Sequence, residues 1–384
     1  MAAIKKISSK LPNLPTSIFT IMSKMAKEYN AINISQGFPD FDTDPKLIEL
    51  VTEAMKAGHN QYAPMSGIYS FRAAICEKVE SLYGAKYHPK SEVTVTSGAT
   101  EAIYSTISAF VSAGDEVIVF KPAYDCYEPA ILGNGGIPVF VQLNNNDFKI
   151  DWNEFQSKIS AKTRMVIINT PHNPSGTIFS ENDMLMLQEA LENTNIILLS
   201  DEAYEHIVFD GLKHESVARY PKLVPRSVIC ASFGKTFHIT GWKIGYCVAP
   251  KELMQEIQKI HEFNVFSVSH PVQKALNEYL KTPNKYLELN SFFQKKRDLF
   301  LEGIKDSRFS YKPSQGTYFQ LLDYSQITDE GDVALAKRLT IENGVASIPI
   351  SVFNENQLDN KLLRFCFAKK DETLEKATEI LSKI

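Results

Sequence analysis

The 384-residue chain has no long hydrophobic run: no stretch approaches the ~18 consecutive apolar residues of a membrane-spanning helix. Its first residues, MAAIKKISSKLPNLP, carry lysines but no apolar segment long enough for a signal peptide. Cysteine is scarce. The five present (Cys76, Cys126, Cys230, Cys247 and Cys366) are odd in number, scattered, and never in a CxxC pair. That usage fits reduced thiols better than disulfides or a zinc knuckle, and the expected address is the cytoplasm. Positive charge is not in excess either, with 41 Lys and Arg against 45 Asp and Glu and a formal net charge of −4. Nothing in that balance would draw the chain to nucleic acid or to an acidic membrane surface. The eight histidines show no H-x-x-x-H spacing and no Cys/His clustering, so no metal site is expected. Repeats and low-complexity tracts are absent as well.

What is present is an ordinary globular composition, 44% hydrophobic and 22% charged, in a chain too long for one simple core. A large domain with a smaller companion is the natural expectation. Between residues 70 and 250, apolar strands alternate with amphipathic helices. The strand candidates are Val93–Ser97, Glu116–Phe120, Pro138–Leu143, Met165–Asn169, Ile196–Ser200 and Val228–Phe233. Several are continuous apolar runs, as expected of strands covered on both faces. Phe71, Ile75, Val79 and Leu82 share one helical face just ahead of the first of these runs. The alternation implies an α/β fold on a mainly parallel, doubly wound sheet. From about Tyr286 the pattern changes to a charged helix, an extended piece near Gly316–Asp323, a helix, the strand-like Leu362–Ala368 and a last helix. This reads as a small α+β domain, with the first forty or so residues packing on it. The expected division is 46–280 for the large domain and 1–45 with 281–384 for the small one.

In open α/β sheets ligands bind outside the carboxyl ends of the strands, and four of those ends hold unusual chemistry. Ser97-Gly98-Ala99-Thr100-Glu101 leads from a strand into a helix, where free backbone N–H groups suit an anion. An ordinary tight turn would look the same. In Asn169-Thr170-Pro171-His172-Asn173-Pro174-Ser175-Gly176 two prolines restrict the backbone and aim the amide of Asn173. The competing reading there is a loop whose asparagines bond to nearby backbone. Asp201 follows the strand-like run Ile196–Ser200, four apolar residues and a serine, so its carboxylate needs either a cationic partner or a helix to cap. Lys235 lies after a strand and a glycine among apolar and aromatic neighbours. It is thus a candidate for a depressed pKa and a nucleophilic amine, though most lysines are solvated surface charges.

The ordered set QGFPDF (36–41), NQYAP (60–64), SGATEA (97–102), YDCYEP (124–129), NTPHNPSG (169–176), SDEAY (200–204), SFGKTFHITGWKIGY (232–246), QGTYF (315–319) and RFCFAK (364–369) resembles the fold-type I, class I/II aminotransferases. Within them it is most similar to the branch of bacterial methionine aminotransferases and kynurenine/glutamine transaminases. The resemblance implies pyridoxal 5′-phosphate, carried by Lys235 as a Schiff base, with Lys235 also moving the substrate proton. It implies that Asp201 faces the ring nitrogen and that Tyr204 and Asn173 bond the ring's phenolate oxygen. Tyr124 would stack on the ring. Gly98, Ala99, Thr100, Ser232 and Lys243 would hold the phosphate, Lys243 standing where many relatives have arginine. Tyr62 would reach the phosphate from a neighbouring subunit, which implies a homodimer with shared sites. Arg364 would pair with the substrate α-carboxylate, helped by Asn173 and the backbone of Gly37; without the resemblance, an inter-strand ion pair would be the reading of that arginine.

Ile18, Phe19, Phe38, Tyr62 and Phe266 resemble positions that wall the substrate side-chain pocket, although each aromatic, viewed singly, reads as core packing. A mostly apolar wall with no second arginine points to methionine or an aromatic amino acid rather than aspartate. His172 and His238 lie inside these motifs and are structural by default. The expected reaction is ping-pong transfer of an amino group to a 2-oxo acid. Cysteine-conjugate β-lyase, acyl-CoA-dependent condensation and kynurenine/glutamine transaminase activities stay open on the same scaffold. A DNA-binding regulator sharing the fold is the rival outside enzymes, against which the acidic balance and the short stretch before Gln36 both speak.

Overall fold

All six apolar runs form strands in the computed structural model, which describes residues 9–384. They are Val93–Thr96, Glu116–Lys121, Ile137–Gln142, Thr163–Asn169, Ile197–Asp201 and Ser227–Ser232, joined in one sheet by a seventh, Gly245–Val248. Across the sheet the order is Val93–Thr96, Gly245–Val248, Ser227–Ser232, Ile197–Asp201, Thr163–Asn169, Glu116–Lys121, Ile137–Gln142. Only Gly245–Val248 runs antiparallel to its neighbours; the rest pair in parallel. The α/β expectation with a mainly parallel sheet therefore holds. The seventh strand was not among the apolar runs, because GYCV is four residues long and opens on glycine. Strand ends differ by a residue or two from the sequence reading: Asp201 closes its strand, and Phe233 opens the short helix Phe233–Thr236.

The sheet is buried on both faces, as its apolar runs require, since the four central parallel strands contain hardly an exposed position. The amphipathic segment forms the helix Tyr69–Tyr83, with Phe71, Ile75 and Val79 buried. It stops at Gly84, whose left-handed φ of +85° is strained for a side-chain-bearing residue. The carboxyl-end asparagine, aspartate and serine of three adjacent parallel strands (Asn169, Asp201 and Ser232) line one edge of the sheet, and Gly98 opens the helix Gly98–Phe110 directly after Val93–Thr96.

The later segments form an antiparallel three-stranded sheet in the order Ile348–Pro349, Leu362–Cys366, Phe319–Asp323. Helix Leu289–Ile304 packs on helix Asp371–Leu381 so closely that a Cβ on Gly303 would meet Thr378 Oγ1 at 2.3 Å. The N-terminal helix Ile18–Glu28 belongs with this part. Its following strand, Ile32–Asn33, pairs in parallel with Val345–Ala346, and Cys366 N donates to Ile34 O at 2.7 Å.

Candidate active site

The strand ends, the Gln36–Phe38 turn and Arg364 meet in a cavity of about 270 Å³. Its walls include Phe19, Gly37, Phe38, Gly98, Ala99, Thr100, Tyr124, Asn173, Asp201, Tyr204, Ser232, Lys235, Lys243 and Arg364. All the residues assigned in the sequence to cofactor or substrate, except Tyr62, Phe266 and Ile18, thus share one space.

One part of the wall is built for an anion. Helix Gly98–Phe110 begins with no side chain capping its first amides, so those N–H groups and the positive end of the helix are available. Lys243 comes close to this turn: its Nζ lies 3.6 Å from the point where a Cβ on Gly98 would sit. No carboxylate pairs with Lys243 among the described residues. Strand Gly245–Val248 reaches the same turn only because residue 245 is glycine; a Cβ there would meet Ala231 O at 2.5 Å and Ala99 N at 2.9 Å. The Ser232 hydroxyl, on the adjacent strand end, accepts from Lys235 N at 3.3 Å and keeps its own proton to donate.

Asp201 is the opposite case, a buried carboxylate. Tyr127 O–H donates to its Oδ2 at 2.6 Å and Ala203 N to its Oδ1 at 3.1 Å. Burial pushes its pKa up, and the Tyr127 hydrogen bond only partly offsets this. No cation lies within ion-pair distance among the described residues, and no helix follows for it to cap. A cationic nitrogen on a ligand would compensate it. Asn169, left between two readings, is structural here: its Nδ2 donates to Asp201 O at 2.9 Å and its Oδ1 accepts from Asn173 N at 2.7 Å.

Lys235 Nζ donates to Gly37 O at 2.9 Å and stands 5.7 Å from the Tyr204 ring centre and 5.5 Å from that of Tyr318. Burial, with the nearby charges of Arg364 and Lys243, brings its pKa down to about 8. The amine is therefore far more available as a nucleophile or base near neutrality than a surface lysine.

Arg364 is only 1% exposed. Its Nη1 donates to Asn173 Oδ1 at 2.7 Å and its Nη2 to Ser35 O at 3.1 Å, while Nε has no partner among the described residues. The guanidinium lies 3.8 Å from the Phe319 ring centre and 5.2 Å from that of Phe19. Arg364 forms no inter-strand ion pair among the described residues. A buried cation held by neutral groups is an incomplete arrangement that a ligand carboxylate would complete.

The structure does not bring Phe266 or Ile18 to the cavity. Phe266 instead packs edge-on against Tyr62, ring centres 5.0 Å apart, and Tyr62 is 80% exposed. Ile18 packs toward the core. His172 and His238 do not line the cavity either. His172 bonds Ser175 Oγ and Pro122 O, and burial lowers each histidine to about 4, so both stay neutral. Sequence reasoning missed Tyr127, Ile103, Thr240, Tyr318 and Phe319 as contributors to the site. All but Ile103 lie inside the quoted motifs, but nothing in those motifs says that Tyr127 reaches a carboxylate 74 positions later.

Comparison with known proteins agrees with this geometry. Residues 29–381 match the family model "Aminotransferase class I and II". Methionine aminotransferase of Escherichia coli (strain K12) is 48% identical over 377 residues, covering 98% of each chain. A kynurenine–oxoglutarate transaminase of Dictyostelium discoideum is 33% identical, covering 99% of this chain and 96% of its own. The crystal structure of an Escherichia coli methionine aminotransferase superposes with a TM-score of 0.97 at 48% identity, over 99% of this chain and 100% of that one. A single mutant of the aspartate aminotransferase of Thermus thermophilus gives 0.90 at 28% identity, over 99% and 100%. An incompletely paired arginine, a lysine of depressed pKa and a buried carboxylate around one cavity are thus carried on a fold shared along nearly the whole chain, and the protein belongs to the class I and II aminotransferases.

Proposed function

We propose that the cavity binds pyridoxal 5′-phosphate and that the enzyme transfers the amino group of an apolar or aromatic L-amino acid, methionine foremost, to a 2-oxo acid by a ping-pong mechanism. The observation that carries this reading is the meeting in one cavity of Lys235, its pKa brought down to about 8, with Asp201 and Arg364, two buried charges lacking ion partners. The residues present fit such a cofactor: the first amides of helix Gly98–Phe110, the Ser232 hydroxyl and Lys243 suit its phosphate, and Asp201 suits a protonated ring nitrogen.

When bound, the cofactor supplies an electron sink for the carbanion formed at the substrate Cα. Lys235 would hold it covalently through its amine, and after release would carry the proton from the substrate Cα to the cofactor's carbon. Asp201, kept in place by Tyr127, holds a proton on the ring nitrogen. Asn173 turns its oxygen to Arg364, leaving its amide N–H groups, with the Tyr204 hydroxyl, for the ring's phenolate oxygen. Tyr124 would stack on the ring. Arg364, its remaining donors facing the cavity, takes the substrate carboxylate with the backbone of Gly37.

Selectivity follows from the wall. Phe19, Phe38, Ile103 and Phe319 are apolar, and Arg364 is the only arginine lining the cavity among the described residues. A side-chain carboxylate would lose its hydration with no cation to receive it. The methionine aminotransferase relative supports methionine as donor, and the kynurenine–oxoglutarate relative supports kynurenine as a second donor. The exposed Tyr62–Phe266 pair supports a homodimer in which Tyr62 completes the partner's phosphate site. Five free cysteines, and no helix among the described residues long and apolar enough to cross a membrane, support a cytoplasmic location.

Lys235→Ala tests the assignment: turnover and the absorbance of the covalently held cofactor near the visible edge should both disappear, and retention of both would overturn it. Run against several 2-oxo acids, a donor panel should show kcat/KM for methionine about a hundredfold or more above that for aspartate. Release of ammonia and pyruvate from cysteine conjugates, in place of a new amino acid, would mark β-lyase chemistry.

A further inference from the structure

The carbonyl oxygen of Gly37 receives two side-chain donors distant in sequence, the Lys235 amine at 2.9 Å and the Tyr318 hydroxyl. A carbonyl oxygen has two lone pairs, so together these donors occupy it fully. Tyr318 has no solvent exposure. Its ring packs edge-on against Tyr204 and Phe319, with centres 5.2 and 5.0 Å away, and at a tilt against Phe293 at 5.7 Å. The backbone that presents it is equally constrained. Thr317 has a φ of +64°, rare for a β-branched residue, and its N–H is bound to Ile207 O at 2.9 Å. On the other side, a Cβ on Gly37 would meet a Phe319 ring carbon at 2.7 Å, so this peptide lies directly against the aromatic wall. Burying a phenol this deeply on an acceptor shared with the site's lysine, with the Tyr204 hydroxyl as its other polar neighbour, is more than packing requires.

We propose that Tyr318 is a positioning residue for Lys235: its hydroxyl holds the Gly37 carbonyl in the orientation from which that oxygen also receives the amine. The proposal rests on Lys235 being the proton carrier of the transamination described above. Sharing the carbonyl has a second effect. With the phenol bound, the oxygen has less electron density to offer an ammonium, which favours the neutral amine that proton abstraction needs. Tyr318 does not line the cavity, so its influence should be felt in the rate of proton transfer rather than in substrate affinity.

Tyr318→Phe keeps the ring and its packing and removes only the hydroxyl. The first measurement uses the full chain before the cofactor is added: trace acetylation of Lys235 by acetic anhydride across pH, read by mass spectrometry. The midpoint in the parent protein should lie near 8, and in the variant it should rise by about half a pH unit or more. The second uses enzyme loaded with pyridoxal phosphate: the single-turnover rate with methionine should fall about tenfold at neutral pH, its acid limb moving upward, while KM stays within about twofold. An unmoved midpoint overturns the proposal. So does a variant that melts earlier and loses kcat and KM alike with no change in pH profile, since that is a structural role. Labelling needs no turnover, so a moved midpoint supports the Tyr318 contact even if the chain transaminates nothing, and an unmoved one refutes it even if the chain does.

Discussion

Lys235, Asp201 and Arg364 each carry a charge that the folded chain by itself leaves poorly compensated, and that is a cost to stability as well as a source of chemistry. Lys235 shows it most clearly. Burial lowers its pKa from an ordinary 10.5 to about 8, so between those values the unfolded chain binds the proton that the folded chain has lost. Stability therefore rises with pH across that window, and below about 8 the full penalty is present. At ~1.4 kcal/mol per pH unit the penalty is about 3 kcal/mol. Lys235→Met should accordingly abolish turnover yet raise the stability of the cofactor-free protein at pH 7, by up to that amount, with the gain fading as pH approaches 10.5. Urea denaturation at pH 7 and pH 10 checks both sign and window. A variant no more stable than its parent at pH 7 would mean that the lysine is solvated.

At the scale of an element, the segment from Ser200 to His206 shows how a short stretch serves two sides. Asp201 and Tyr204 face the cavity, while Glu202 and Glu205 are gripped from behind. Glu202 binds His214 at 2.8 Å, Ser200 Oγ at 2.9 Å and Val217 N at 3.0 Å. Glu205 binds Lys78 at 2.7 Å and accepts from the hydroxyls of Tyr83 at 2.6 Å and Tyr246 at 3.1 Å. Burial alone would raise the pKa of Glu205, but Lys78 and its other partners hold it well below the usual carboxylate range. Lys78 projects from helix Tyr69–Tyr83, so this buried pair ties the catalytic turn to that helix. Lys78→Met removes one partner of the pair and should destabilise the fold by about 3–5 kcal/mol. It should also weaken cofactor binding as the turn loosens, measurable by thermal melting and by fluorescence titration with pyridoxal phosphate. Full retention of both would show that the pair is dispensable.

Considered as a whole molecule, the chain leaves large aromatic side chains in the open. Tyr62 is 80% exposed and Phe263 89%, and Phe266 packs on Tyr62. An exposed aromatic pair such as Tyr62 and Phe266 marks a contact surface. With two copies related by a two-fold axis, the proposed reach of Tyr62 into the partner's phosphate site would cover them. Phe266→Glu should then shift sedimentation from dimer to monomer at micromolar concentration and lower activity more than tenfold. Activity lost without dissociation would instead return Phe266 to a role inside its own site.

Most of the chemistry was legible in the sequence, because strand-end motifs are local: SGATEA, SDEAY and SFGKT each place their reactive residue directly after an apolar run, and a parallel sheet brings all such ends to one edge. The apolar runs and the ordered motifs were sufficient for the α/β fold and for assembling Lys235, Asp201, Tyr204, Asn173 and Arg364 around one cavity. What they could not contain is which distant group meets which. The strand Gly245–Val248 is placed by its antiparallel pairing with Val93–Thr96 and Ser227–Ser232, and its glycine admits the close approach to Ala99. The bonds from Tyr127 to Asp201 and from Tyr318 to Gly37, the absence of an ion pair on Arg364, and the turning of Phe266 away from the cavity all depend on packing between segments far apart in the chain. Composition and spacing act within a segment; burial, and with it the low pKa of Lys235, exists only once the segments have closed around each other.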